Sequence, residues 1–355
     1  MRGRLTLAAV GALLITCGGA LVAQQRTVPR TPDGRPDLQG TYDLGTLTPL
    51  ERPANSPLVY TDEEAKALEQ RVAAANAKGY APIAGDRAAP PSGGDGSPGP
   101  YGNVGGYNNF WLDPGSHYTV VDGKKRASIL IDPPDGRVPP LKAEARERNA
   151  ARRVLFTSDQ RANEDDPGFE GPDAYNDPEQ RPLGERCLVG FSSTSGPPIM
   201  PTYFYNNLHQ IVQTPDRVMI LTEMVHDARI IRIGGTHVPS HIRKWLGDSI
   251  GRWEGDTLVV DTTNFTDKTR FRGSSEQLHV IERFTRVDAN TLRYSFTIDD
   301  PSTWDRTWTG EYTWPITSER IYEYACHEGN YAMGNILRGA RLKEKTEEAA
   351  KKSKQ

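Results

Sequence analysis

Residues Leu292–Asp299 read LRYSFTID, and their apolar and polar side chains alternate without a break. An alternation with a period of two predicts a β-strand that buries one face. Short turn signals such as Pro215-Asp216 and Asp288-Ala289-Asn290 separate similar stretches. These stretches occupy roughly residues 203–214, 217–225, 228–233, 249–253, 256–264, 278–287, 306–314 and 320–327. The second half of the chain therefore predicts an antiparallel β-meander.

Consecutive hairpins leave a sheet with two unpaired edges, and exposed edges promote aggregation. A meander of about eight strands can close into an up-and-down barrel, which removes both edges. We therefore predict a mainly β fold built around a closed, lipocalin-like barrel. An open or sandwiched sheet is the alternative.

The first residues have the pattern of a secretory signal peptide. Arg2 and Arg4 precede the apolar run Leu5–Val22, and small residues end the run at Ala23. This pattern predicts that residues 1–23 are removed and that the protein is exported to the periplasm or beyond the cell. Two alternatives are a lipid tether at Cys17, whose surroundings resemble a lipoprotein box, and a retained membrane anchor. No membrane insertion is predicted once the leader is cleaved.

We expect residues 24–185 to form an extended arm, loops, helices and short strands that pack on the β domain. Turn-forming Pro, Gly and Asp dominate the start of this region. Thr61 and Glu64 have the spacing of a capping box, which predicts a helix that ends before Gly79. A second, charged helix is predicted at about residues 141–154.

The remaining segments differ in composition. Strand signals occur at residues 107–112 and 127–132, whereas residues 84–106, rich in Gly, Pro and Ser, predict a long loop. The antiparallel β domain is predicted at residues 186–341. A basic tail follows at residues 342–355, where we expect a frayed helix.

Charge and cysteine usage limit the possible partners. The chain has 43 Lys and Arg against 46 Asp and Glu, a net charge of -3, which predicts no nucleic-acid partner. In an oxidising compartment, Cys187 and Cys326 are expected to form a disulfide, with a reactive or metal-bound thiol as the alternative. Because the chain has no phosphate-binding loop, dinucleotide fingerprint or Cys-x-x-Cys motif, no cofactor is predicted.

Three carboxylates share a strand face with apolar side chains. Glu282 alternates with Val280 and Phe284, and the same parity turns Glu223 and Glu323 inward. A buried carboxyl group can act as a general acid or base. The candidate catalytic residues are therefore Glu223, Glu282, Glu323, His327 and His209. The alternative is a set of structural ion pairs with Arg229, Arg232 or Arg283.

The predicted barrel could hold a small ligand or a metal ion. Aromatic and amide side chains in a barrel can hold an apolar or aromatic molecule, although core packing explains most of these aromatic residues equally well. The candidate ligand-binding residues are Tyr203, Tyr205, Asn207, Trp253, Asn264 and Tyr322. Zinc could be held across strands by His209, His226 and Glu323, but no ligand spacing supports such a site. No metal is predicted.

Several long stretches resemble a known family. The stretches are Trp245–Ser249 (WLGDS), Gly251–Phe265 (GRWEGDTLVVDTTNF), Cys326–Tyr331 (CHEGNY) and Thr48–Pro53 (TPLERP). They are similar to the signature segments of a large family of exported, β-rich bacterial proteins. Ile250 departs from the family pattern, in which a polar residue is expected. The resemblance implies export and a β fold, and it implies no activity, cofactor or catalytic residue.

Three functions are compatible with these features. The first is an exported protein that binds a small lipophilic or aromatic molecule in a barrel cavity. The second is a cofactor-free acid/base enzyme, such as a hydrolase, isomerase or cyclase, that uses the Glu and His residues of the barrel. The third is an envelope structural or interaction protein, which predicts a barrel packed solid with side chains. The sequence leaves the oligomeric state open.

Overall fold

The computed structural model describes residues 28–79, 113–151, 175–181, 183–190, 195–202, 205–269 and 271–353. The leader with Cys17, the loop at 84–106 and the strand at 107–112 lie outside the described residues. The helices in the described residues are α1 (Asp62–Gly79), α2 (Ala143–Ala151) and α3 (Tyr331–Lys352). The capping box of α1 is confirmed, because the Glu64 N–H donates to Thr61 Oγ1 (3.2 Å) and the Thr61 N–H donates to Glu64 Oε2 (2.9 Å).

Nine strands form a closed barrel, which confirms the predicted fold class. The described strands are β1 (Gly40–Asp43), β2 (Val120–Val121), β3 (Lys124–Lys125), β4 (Leu130–Asp132), β5 (Leu208–Gln213), β6 (Arg217–Thr222), β7 (Ala228–Ile233), β8 (Asp248–Glu254), β9 (Thr257–Thr263), β10 (His279–Arg286), β11 (Thr291–Asp299) and β12 (Trp308–Thr317). The barrel contains β1 and β5–β12, β4 pairs with part of β12, and β2 and β3 form a separate hairpin.

The barrel closes through a strand of the N-terminal arm. Tyr42 of β1 pairs with His209 of β5 on one side and with Ile316 of β12 on the other. Because β1 occupies the edge of β12, no further strand can follow there, and the strand predicted at residues 320–327 is wrong. The meander also has one parallel pair, β7 with β8, so a long connection must cross between them.

The barrel interior is filled largely by aromatic side chains of β10, β11 and β12. The predicted alternation of β11 is confirmed, since its four apolar side chains are all buried. Gly310 of β12 faces this packing, and a Cβ at this position would lie 2.4 Å from Cζ of Phe296. Only glycine leaves room for the Phe296 ring, so the aromatic packing and the glycine require each other.

A buried segment, Ser195–Thr202, enters one end of the barrel; we call it the plug. The Ile199 N–H donates to Tyr294 Oη (2.8 Å), and Tyr312 Oη donates to the Ile199 carbonyl oxygen (3.0 Å). At the opposite end, the Arg286 guanidinium donates to Tyr42 Oη. At both ends of the barrel, buried polar groups are therefore paired by hydrogen bonds.

The predicted disulfide between Cys187 and Cys326 is present. It joins the segment before the plug to the irregular chain that follows β12, rather than to a strand. Among the described residues, no helix is both long enough and apolar enough to span a bilayer.

Candidate functional site

Glu282 lies inside the barrel as its alternation predicted, and it forms an ion pair there. Arg229 of β7 donates to both Glu282 carboxylate oxygens, at 2.6 and 2.9 Å, and Tyr294 Oη donates to Oε1 at 2.8 Å. The Glu282 side chain is fully buried. Since Tyr294 also receives the Ile199 N–H, the ion pair is linked to the plug. The alternative of a structural ion pair therefore describes Glu282.

The other candidate catalytic residues do not converge on Glu282. Glu223 is buried but follows the end of β6, where its Oε1 accepts the Tyr322 N–H at 3.0 Å. The parity assigned to β6 was wrong, because Val218, Ile220 and Thr222 are the residues that face inward. Glu323 and His327 were also predicted to face inward. That placement was wrong, because no strand forms at residues 320–327 and both side chains are exposed.

His209 lies inside the barrel, where it packs on aromatic rings. Its ring centroid is 5.9 Å from that of Trp314. The Trp314 ring in turn lies 4.8 Å from Tyr294, 5.7 Å from Phe284 and 6.2 Å from Tyr42. These distances are those of rings in direct contact, so side chains fill this level of the barrel.

The candidate ligand-binding residues are dispersed over the molecule. Tyr205 and Tyr322 are exposed near the disulfide, whereas Asn207 is buried and receives a hydrogen bond from the Thr202 hydroxyl of the plug. The Asn264 side chain donates to the Val238 carbonyl oxygen at 2.9 Å. Trp253 lies under Arg35, and Tyr203 is outside the described residues. The structure therefore does not gather these residues into one site.

An open cavity of about 700 Å³ lies outside the barrel; we call it the side cleft. One wall is the outer face of β11 and β12, and the other is the segment 113–123, which includes the β2–β3 hairpin. The two walls are joined where the hydroxyls of Thr119 and Thr313 lie 2.8 Å apart and where Arg293 pairs with Asp122. Asp43 at the end of β1, together with Gly45 and Thr46 just after it, lines one end.

The lining of the side cleft is acidic and rich in hydrogen-bonding groups. Asp43, Asp113, Asp122 and Asp288 contribute carboxylates, against the single guanidinium of Arg293. Within the described part of the chain, neither Asp43 nor Asp113 forms an ion pair with a cationic side chain. Burial raises the pKa of Asp43; the hydrogen bond from the Gly45 N–H opposes this shift, and the charge of Asp113 adds to it. The cleft is therefore suited to a ligand that carries hydrogen-bond donors or positive charge.

The loop between β6 and β7 has a strained backbone. Val225 and His226 have φ angles of 62° and 49°, a left-handed conformation that is unfavourable for a β-branched residue such as Val225. The His226 Nδ1 lies 3.1 Å from the Tyr324 carbonyl oxygen, so Nδ1 carries the proton and Nε2 is the basic nitrogen of the neutral ring. Strain of this kind costs of order 1–3 kcal/mol per residue and concentrates at functional sites.

Asp227 in the same loop accepts hydrogen bonds from the first residue of the plug and from the chain just before it. Its Oδ2 accepts hydrogen bonds from the Ser195 hydroxyl and from the Gly190 N–H (3.0 Å). Burial raises the pKa of Asp227, although the hydrogen bond from Ser195 opposes the shift. The disulfide lies close to both contacts, since Cys187 precedes Gly190 and Cys326 follows Tyr324.

Comparisons with protein-family models, with curated proteins and with solved structures found no match for this chain. Within the described residues, no group of three or more His, Cys, Asp or Glu side chains is arranged to hold a metal ion. The geometry of the side cleft and of the β6–β7 loop is therefore the basis for a functional proposal.

Proposed function

We propose that this protein binds a small polar molecule that carries amino or hydroxyl groups, and that the ligand occupies the side cleft. The observation that carries the proposal is the contrast between an open, acidic cleft of about 700 Å³ and a barrel interior filled with aromatic rings. A volume of this size matches typical small-molecule sites. A lipophilic ligand inside the barrel stays a prediction, and it would have to displace the plug.

The chemistry of the cleft supports a polar ligand. Asp43 is partly buried, and its Oδ1 accepts the Gly45 N–H at 2.8 Å. Arg293, the arginine of the cleft lining, pairs with Asp122. A ligand ammonium or hydroxyl group would donate to the Asp43 carboxylate and satisfy it. The hydroxyls of Ser116, Thr291 and the other lining residues add neutral donors and acceptors.

Thermal unfolding with a small probe panel tests the proposal. We expect putrescine or sorbitol to raise the melting temperature, because a ligand at about a hundred times its dissociation constant adds about 2.7 kcal/mol to stability. Asp43→Asn should remove the effect of putrescine, since the substitution removes the carboxylate charge. Asp216→Asn is the matched control, because Asp216 is exposed and lies outside the cleft.

The same panel distinguishes the cleft from the barrel interior. Anilinonaphthalene sulfonate reports on an apolar site. If this probe alone stabilises the protein, and does so equally in Asp43→Asn, the cleft proposal fails and an interior ligand is supported. If no probe acts on a folded protein, polar-ligand binding of this class is contradicted.

The protein's place of action is proposed to be outside the cytoplasm. The disulfide supports this proposal, because such bonds persist in oxidising compartments. The signal-peptide pattern of residues 1–23 and the family resemblance point the same way.

An acid/base enzyme is the second candidate, and the β6–β7 loop is the observation that favours it. His226 combines an exposed imidazole, an oriented Nδ1–H and a strained backbone. If it acts as a general base, His226→Gln should abolish hydrolysis of a panel of chromogenic esters, a loss of roughly 10²–10⁴-fold. His241→Gln, at an exposed histidine elsewhere, should leave any turnover unchanged. Turnover that survives His226→Gln would argue against this role.

A further inference from the structure

The connection between β7 and β8, residues Gly234–Gly247, differs at its two ends; we call it the strap. Gly234 and Gly235 have φ angles of 78° and 87°, are exposed, and would meet nothing within 4 Å if they carried a Cβ. Gly247, at the other end, packs so closely that a Cβ would lie 2.7 Å from Thr262 Cγ2. The Gly234 N–H donates to the Gly251 carbonyl oxygen at 2.7 Å, so the chain becomes free of the sheet at Gly235. The strap therefore begins at an exposed glycine pair and ends at a tightly packed glycine.

A histidine just after the glycine pair holds the strap against the barrel. His237 Nδ1 lies 3.1 Å from Asp248 Oδ2, and His237 Nε2 lies 3.1 Å from Asp261 Oδ1. The same Asp261 oxygen lies 3.0 Å from Nε2 of His279 on β10. The Val238 N–H also donates to Asp248 (3.1 Å), so the backbone next to the histidine is held by the same carboxylate.

The two contacts of His237 depend on how many protons its imidazole ring carries. A carboxylate only accepts hydrogen bonds, and a neutral imidazole has a single N–H, so His237 can donate to both carboxylates only when it carries two protons. The hydrogen bond to Asp261 raises the pKa of His279, and the imidazoles of His279 and His237 lower the pKa of Asp261. Burial alone would raise the pKa of Asp248, but hydrogen bonds from Lys244, Val238 and His237 lower it to about 2.

Charged groups from every neighbouring element face this cluster. They are Arg232 on β7, Lys244 on the strap, Asp248 on β8, Asp261 on β9, His279 on β10 and Asp299 on β11. Arg232 and Lys244 both form ion pairs with Asp248, at 2.8 and 2.6 Å. Imidazole is the side-chain group whose charge changes most readily between pH 5 and 8, and the cluster brings two imidazoles to one Asp261 oxygen.

We propose that the strap is a pH-sensitive element, hinged at Gly234-Gly235 and held closed by imidazolium–carboxylate contacts of His237 and His279 with Asp248 and Asp261. A histidine whose pKa is raised in the folded state stabilises that state below its ordinary pKa, and the stabilisation is lost as pH rises through the raised pKa. The carboxylates, whose pKa values are lowered, keep their charge into the acid range. The strap is therefore held more firmly at mildly acid pH than at alkaline pH, where the hydrogen bonds from Asn264 to the Val238 carbonyl oxygen and from Arg232 to the Thr236 carbonyl oxygen remain.

Hydrogen exchange of the full-length protein tests this proposal. After correction for intrinsic rates, we expect strap amides such as Val238 to exchange on the order of tenfold more slowly at about pH 6 than at about pH 9. In His237→Gln the strap should exchange quickly at both pH values, because glutamine cannot take up the second proton. Amides of β10 and β11 serve as the internal measure of global stability.

The matched control is His241→Gln, at an exposed histidine of the same strap that bears none of these contacts. It should retain the pH dependence of the unsubstituted protein. The proposal is overturned if strap protection is the same at both pH values, if His241→Gln and His237→Gln behave alike, or if β10 and β11 lose protection together with the strap.

Discussion

Replacing Arg229 by alanine should lower the free energy of unfolding by about 3–5 kcal/mol, because the substitution leaves the Glu282 carboxylate buried without its partner. The Glu282 side chain is fully buried, and Arg229 supplies both of its charged hydrogen bonds. Urea unfolding followed by tryptophan fluorescence gives the difference, since the buried Trp314 reports on the same interior.

Two further variants make this prediction specific. Arg283→Ala removes an arginine from the outer face of β10, the strand of Glu282; because Arg283 pairs there with the exposed Glu254, the loss of stability should be far smaller. The double variant Arg229→Met/Glu282→Leu removes both buried charges and should recover most of the lost stability. Equal effects of Arg229→Ala and Arg283→Ala would contradict the assignment of a buried ion pair.

Removing the disulfide should have an effect of similar size. Cys187 and Cys326 are 139 residues apart, and a loop of that length corresponds to about 5 kcal/mol in the chain-entropy account. We expect Cys187→Ala/Cys326→Ala to unfold at a correspondingly lower urea concentration. The loss should also loosen the β6–β7 loop locally, because the Tyr322 N–H contact with Glu223 lies on the released segment.

Chemical reduction provides the control for this prediction. A reducing agent should lower the unfolding midpoint of the unsubstituted protein to that of the double variant, and it should leave the double variant unchanged. If mass spectrometry shows that the bond is broken while the midpoint stays the same, the disulfide does not stabilise the fold.

The barrel strands from β5 to β12 could be predicted from the sequence, because their apolar side chains alternate and pack into one continuous core. β10 and β11 show this most clearly, since Val280, Glu282 and Phe284 face inward as their spacing requires. β1 could not be predicted in the same way. It is four residues long and lies among turn-forming residues, and only its pairing with distant strands makes it part of the sheet.

The candidate site was predicted less completely, for two physical reasons. Alternation predicts which face a side chain takes only where the chain is a strand paired in the sheet. Strand β6 ends at Thr222, so the alternation of β6 does not apply to Glu223. The side cleft joins segments that are far apart in sequence, and no local pattern marks such a junction.

The closure of the barrel by β1 bears on the order in which the protein is made. The first described strand, β1 at Gly40–Asp43, has partners in β5 and in β12, the last of the described strands. A ribosome delivers the first strand long before the last, so the ring cannot be completed until nearly the entire chain has been synthesised. Contacts between such distant segments also form slowly. The barrel therefore stays open, with the edges of β5 and β12 unpaired, until β12 has been made.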